Sequence, residues 1–162
     1  MNPEFNAHKI LEIAEQIERN GVRFYRNAAQ LFEDRQIRNM FNDLATWEAK
    51  HEEVFAAMRA KLPPQGHQAE TAAPGDPAAD PRAMAGLAVF GIKPEAAEKL
   101  TGKETREEVL KMAIEREKDS IVFYTGLKDF VPARRDRDKI AEIVTEEMRH
   151  IRILSESLGQ LD

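Results

Sequence analysis

The chain has 162 residues and no cysteine. That absence excludes disulfides, cysteine-ligated zinc fingers, iron–sulfur clusters and thiol catalysis, though it leaves the compartment open. Long apolar runs are also missing. The longest, MAGLAVFGI at 84–92, falls well short of the roughly 20 residues a membrane helix needs. The N-terminus, MNPEFNAHKI, carries no apolar signal segment. The net charge is −5, and no basic cluster is dense enough to suggest nucleic acid. These absences predict a soluble cytoplasmic protein with neither nucleic acid nor membrane as a partner. What remains is 42% hydrophobic and 33% charged, a composition that supports one domain over 1–162 with a buried core and solvated helix faces.

Proline and glycine are unevenly spread. Two regions rich in helix formers, roughly 5–62 and 104–161, hold Pro132 as their only proline beyond the N-terminal few residues. Between them LPPQGHQAETAAPGDPAADP (62–81) reads as an irregular connection. Short helices are expected after it, at 82–90 and from Pro94 to Gly102. Each long region exceeds a typical helix and so divides into a hairpin, at EDRQ (33–36) in the first and at Pro132 in the second. The predicted fold is all-α, with helices at about 5–32, 35–62, 104–130 and 133–160. Each is about 26 residues, or roughly 40 Å. A crossover over 63–103 is long enough to traverse a bundle.

The two hairpins are related in sequence. AEQIERNGVRFY (14–25) and AIEREKDSIVFY (113–124) align at an offset of 99 residues, which pairs Ala14, Glu18, Phe24 and Tyr25 with Ala113, Glu117, Phe123 and Tyr124. The same offset carries Glu48 and His51 (EAKH) onto Glu147 and His150 (EMRH). The other two histidines, His8 and His67, lack this context and read as surface residues.

Bundle helices bury positions spaced alternately three and four apart. The four stripes are Leu11, Ala14, Glu18, Gly21, Tyr25, Ala28, Phe32; Phe41, Leu44, Glu48, His51, Phe55, Met58, Leu62; Leu110, Ala113, Glu117, Ser120, Tyr124, Leu127, Val131; and Ile140, Ile143, Glu147, His150, Leu154, Ser157, Leu161. Each is apolar at its ends and charged in the middle. Solvated charges would fall off the stripes, as Glu12, Glu15, Glu52 and Glu53 do. Glu18 and Glu48 each lie 15 residues from a turn near 33, and Glu117 and Glu147 lie 15 from Pro132. Antiparallel pairing then brings the four carboxylates to one level. Buried without partners, they would cost several kcal/mol each. Two divalent cations beside two neutral imidazoles would cancel the charge.

A Glu from each of two helices with Glu-x-x-His from each of the other two is the ligand pattern of ferritin-like di-iron and di-manganese proteins. On the Glu preceding Phe-Tyr in helices 1 and 3, and Glu-x-x-His in helices 2 and 4, the sequence resembles the rubrerythrin-like branch of the ferritin-like superfamily, without a rubredoxin domain. The resemblance covers both hairpins. It implies a ferritin-like antiparallel bundle and a non-haem di-iron centre that reacts with peroxide or dioxygen. Its implied ligands are Glu18, Glu48, His51, Glu117, Glu147 and His150, with Glu48 and Glu147 bridging. Lacking the rubredoxin cysteines, the chain would draw electrons from an external donor such as a rubredoxin-type protein. The extra glutamate of rubrerythrins falls at Ser120, whose repeat mate is Gly21. The six-ligand set is more similar to that of bacterioferritin.

The residues around this set leave alternatives open. Gly21 and Ser120 either make room for oxygen or peroxide or serve close helix packing. Tyr25 and Tyr124, two turns beyond Glu18 and Glu117, either hydrogen-bond to ligand oxygens or pack as plain core tyrosines. Trp47 lies off the stripe and reads as packing. Mixed carboxylate and imidazole ligation suits iron, manganese or zinc. The leading expectation is a non-haem di-iron oxidoreductase, of peroxidase or ferroxidase type, working as a homodimer. Two other readings are an iron storage or transfer protein without turnover, and a structural bundle holding zinc or no metal. The apolar stretch 84–92 would cover one end of the bundle or form the dimer interface.

Overall fold

The structure, a computed structural model, describes residues 7–63 and 99–161. It contains α1 (Ala7–Leu31), α2 (Arg35–Ala60), α3 (Arg106–Leu127), a 3₁₀ turn (Lys128–Phe130) and α4 (Arg134–Gly159), with no strand among the described residues. Helices α1 and α2 form one hairpin and α3 and α4 the other, as the repeat predicts. The short helix expected at 82–90 lies outside the described residues, as does most of the 63–103 crossover. The part of the Pro94–Gly102 segment that is described, 99–102, is not helical. Gly102 there adopts φ 86, a conformation that favours glycine.

The helix boundaries have local causes. Asp34 caps α2, its carboxylate accepting from the Gln36 and Ile37 amides at 2.8 and 3.2 Å. Thr105 and Glu108 form a reciprocal capping box at the start of α3. Pro132 lies just ahead of α4, and Arg137 ties the turn down by donating to the Val131 and Pro132 carbonyls at 2.9 and 2.8 Å. Helix α3 ends three residues early, because its last predicted turn tightens into the 3₁₀ turn.

All four stripes are buried along their length except at Phe32, Leu62 and Leu161 near the helix ends. Two apolar clusters result. One gathers Leu11, Ile17, Phe55, Met58, Tyr124, Leu127 and Ile140. The other gathers Phe24, Tyr25, Phe41, Leu44, Leu110 and Leu154. The charged middles of the stripes lie between them, as the sequence pattern requires. One off-stripe expectation fails. Glu15 is buried, because Arg59 grips both of its oxygens (Nη2 to Oε2 at 2.9 Å) and Arg19 adds a third contact at 3.3 Å. The charge stays paired and links α1 to α2.

A candidate dinuclear metal centre

Helices present their side chains at fixed heights, so four stripes brought level make one cluster. Glu18, Glu48, Glu117 and Glu147, with His51 and His150, are all buried, at 3% exposure or less. Glu147 is the centre of the group. Its Oε1 lies 3.1 Å from His51 Nδ1, and its Oε2 lies 2.8 Å from His150 Nδ1. Glu48 Oε1 is 3.3 Å from His150 Nδ1, and Glu18 Oε2 is 3.7 Å from His51 Nδ1. Glu117 Oε2 stands 3.8 Å from His150 Nδ1. Two overlapping groups could each hold a metal ion: Glu18, Glu48, His51 and Glu147, and Glu48, Glu117, Glu147 and His150.

These atoms lie within ion-pair distance of one another, yet none makes a hydrogen bond of ordinary geometry. Each of the six residues leaves at least one buried oxygen or Nδ1 without a hydrogen-bond partner, and those atoms face one another. Orphaned polar atoms are rare in folded proteins and call for an explanation. Carboxylate oxygens and imidazole nitrogens converging at this spacing are a donor set for divalent transition metals, so the cluster fits a pair of metal ions.

The tyrosines do more than pack. The Tyr25 hydroxyl, on α1, donates to Glu117 Oε1 on α3, and the Tyr124 hydroxyl, on α3, donates to Glu18 Oε1 on α1. Each hairpin thus orients a carboxylate of the other and leaves that carboxylate's second oxygen facing the cluster. Burial pushes both phenols well above their usual range, and the carboxylates beside them push further, so both remain donors.

Electrostatics in the metal-free site follow from crowding. Burial, then the charges of Glu48 and Glu147, hold Glu18 and Glu117 well above the ordinary carboxylate range. Burial opposes a proton on His51 and His150, yet the carboxylates around them prevail and raise both to about 12. Burial also opposes charge on Glu147, but the two histidines hold its carboxyl well below the ordinary range. Protons therefore stand where cations would be.

Three neighbours of the cluster escaped the stripe pattern. Arg116, fully buried, donates from Nη1 to Glu48 Oε2 at 3.2 Å and from Nη2 to the Ile17 carbonyl at 2.6 Å. Its signal was in the repeat: the residue 99 earlier is Ile17, an apolar mate for an arginine. Glu146, half exposed, accepts from His51 Nε2 at 2.6 Å. Trp47 stacks on His150, with centroids 5.2 Å apart and planes at 12°. Trp47 also lines an open groove of about 380 Å³ with Met40, Asp43 and Ile153.

Arg116 also settles the role of Gly21. A Cβ there would come 2.3 Å from Glu48 Oε2 and 2.5 Å from Arg116 Nη1. The space is filled by these groups, so Gly21 does not make room for an oxidant. Gly21→Ala should therefore lower stability by about 1–2 kcal/mol through overpacking, despite alanine's better helix propensity. Gly126→Ala, whose Cβ would meet nothing within 4 Å, should raise it slightly. Urea unfolding of the two variants provides the check, and equal shifts would refute the crowding at Gly21.

Fold and cluster together define a ferritin-like bundle with a buried carboxylate–histidine cluster that could hold metal. The sequence profile of the Rubrerythrin family matches residues 9–158, and the chain belongs to that family. Its structure is similar, over the whole of both chains, to a crystal structure from Thermotoga maritima, with 27% identity and a TM-score of 0.73. That protein is provisionally described as a ferritin-like diiron-carboxylate protein. No curated protein gives a significant match. No helix among the described residues is long and apolar enough to cross a membrane.

Proposed function

We propose that the protein is a di-iron oxidoreductase that reduces peroxide or uses dioxygen to oxidise Fe(II), drawing electrons from an external donor. The observation that carries this reading is the set of six buried residues with orphaned ligand atoms pointing inward between the hairpins. Glu18, Glu48, His51 and Glu147 would hold one ion, and Glu48, Glu117, Glu147 and His150 the other. Iron, once bound, supplies two electrons to the oxidant.

The chain's own residues do the rest. Glu147 presents one oxygen toward each histidine, which supports a bridging role between the two ions. Glu48 presents Oε1 alone, since Arg116 holds Oε2. Tyr25 and Tyr124 fix Glu117 and Glu18 and keep their own protons. The apolar clusters on either side limit water, which strengthens electrostatic interactions within the site. The experiment is anaerobic loading with two equivalents of Fe(II), followed by H2O2 or O2 and recording of the near-ultraviolet and visible spectrum. A new absorption on oxidation, faster with one oxidant, is expected and identifies that oxidant. An unchanged spectrum with both would end this reading.

A further inference from the structure

The repeat that builds the cluster is broken beside it, and both breaks favour the same side. Positions 47 and 146 are repeat mates, each placed outside the histidine of the opposite hairpin. At 146 stands a glutamate, 2.6 Å from His51 Nε2. At 47 stands a tryptophan, which covers His150 with its ring face. Once the Nδ1 proton is displaced, this carboxylate would hold the remaining proton on Nε2 and make the inward Nδ1 a stronger ligand. An indole face carries no charge and gives His150 no such support. Among the described residues, every carboxylate within ion-pair distance of His150 faces its Nδ1.

The second break is at 17 and 116. Ile17 is neutral, whereas Arg116 places a buried positive charge on Glu48 Oε2. That guanidinium also lies 5.9 Å from the ring centroid of Tyr25, the tyrosine that donates to Glu117. Its Nη2 holds the Ile17 carbonyl beside Glu18, but of the two unshared glutamates Glu117 interacts with the guanidinium more strongly, so the charge bears more on the set containing Glu117 and His150. A fixed cation there repels an incoming metal ion and occupies one oxygen of a shared ligand.

We propose that the two metal positions are unequal by construction: the His51 position binds first and tightly, and the His150 position binds second and weakly. This rests on the dinuclear reading above. The weaker position is the one whose ion can leave. Glu146 and Arg116 are positioning residues in this scheme, acting on ligands without binding metal.

The test is an anaerobic titration of the metal-free full chain with Co(II) alone, followed by calorimetry and visible absorption. Two neighbouring cations repel each other, so separated steps in the wild-type protein do not by themselves show unequal positions. Glu146→Gln does distinguish the cases. Unequal positions predict that it weakens the first step by about 10- to 100-fold and spares the second. With equal positions, the first ion would move to the unmodified site, and the loss would appear in the second step instead. That result would overturn the proposal. Arg116→Met should tighten the second step more than the first, and the reverse would also overturn it. Glu146 is half exposed, so its variant carries the test should Arg116→Met fail to fold. Uptake of fewer than two Co(II) ions by the wild-type chain would defeat the dinuclear reading itself, a result distinct from two ions bound at equal positions.

Discussion

Replacing Glu147 with Gln is expected to destabilise the metal-free protein by roughly 3–5 kcal/mol, the cost of removing one partner from a buried charge cluster. Glu147 is fully buried and, among the described residues, is the one carboxylate within about 3 Å of both histidines. Its carboxyl is held well below the ordinary range by those histidines, which are themselves raised to about 12. The metal-free core thus contains a carboxylate between two imidazolium rings. Gln leaves both rings without that charge. For a chain of this length the melting temperature should fall on the order of 10 °C. Glu117→Gln provides the contrast. Glu117 retains its proton well above the ordinary range, and Gln resembles a protonated carboxyl that can still accept from Tyr25. Its metal-free stability should be unchanged or higher. Both variants should lose binding of the second metal ion. Thermal unfolding in chelator separates them, and equal melting temperatures would refute this charge assignment.

Stability and metal uptake should depend on pH in opposite directions. Glu18, Glu117, His51 and His150 all have raised values in the folded, metal-free state. A group raised on folding contributes its full stabilisation below its unfolded value and loses it as pH climbs toward the folded one. For the glutamates the loss begins above about 4.3, and for the histidines above about 6.5. Across neutral pH the folded state then binds more protons than the unfolded chain. Metal-free stability should decline from pH 5.5 to 8.5, by about 1.4 kcal/mol per pH unit for each extra proton held. Glu147 has the opposite sign, but its stabilisation is lost only as pH falls through its low folded value, below this window. Metal ions displace these protons, so affinity should rise with pH, and protons should be released on binding. Urea unfolding in chelator at several pH values tests the first slope. Calorimetry in buffers of different ionisation enthalpy tests the second. A metal-free stability that rises across this window would refute the protonated site.

Much of the site was readable in advance because helical periodicity fixes direction. On a helix, residues three and four apart share a face, so Glu48 with His51, and Glu147 with His150, had to point one way. Placing them among Leu44, Phe55, Ile143 and Leu154 on the same stripes made that way inward. The offset of 99 residues then gave the second half of the cluster from the first. Off-stripe residues were harder to read. Glu15 and Arg116 stand at positions where a long charged side chain can turn to solvent or be enclosed, and only the neighbouring helix decides. Glu15 is enclosed because Arg59 on α2 meets it. Arg116 is enclosed because Gly21, on the facing helix, has no side chain to exclude it.

The tyrosines mark the same boundary. Their place in the repeat, seven residues after Glu18 and Glu117, is written in the sequence, yet the donor of each hairpin serves the acceptor of the other. No spacing within one helix encodes that exchange. By itself the sequence determined the four helices, the level of the carboxylates and the six convergent residues, because these depend on local periodicity and an internal repeat. The tertiary structure decided which oxygen is held by which donor, that Arg116 fills the space at Gly21, and that Glu146 and Trp47 support the two histidines differently. Those choices arise between hairpins, where side chains distant in sequence compete for the same volume and the same lone pairs.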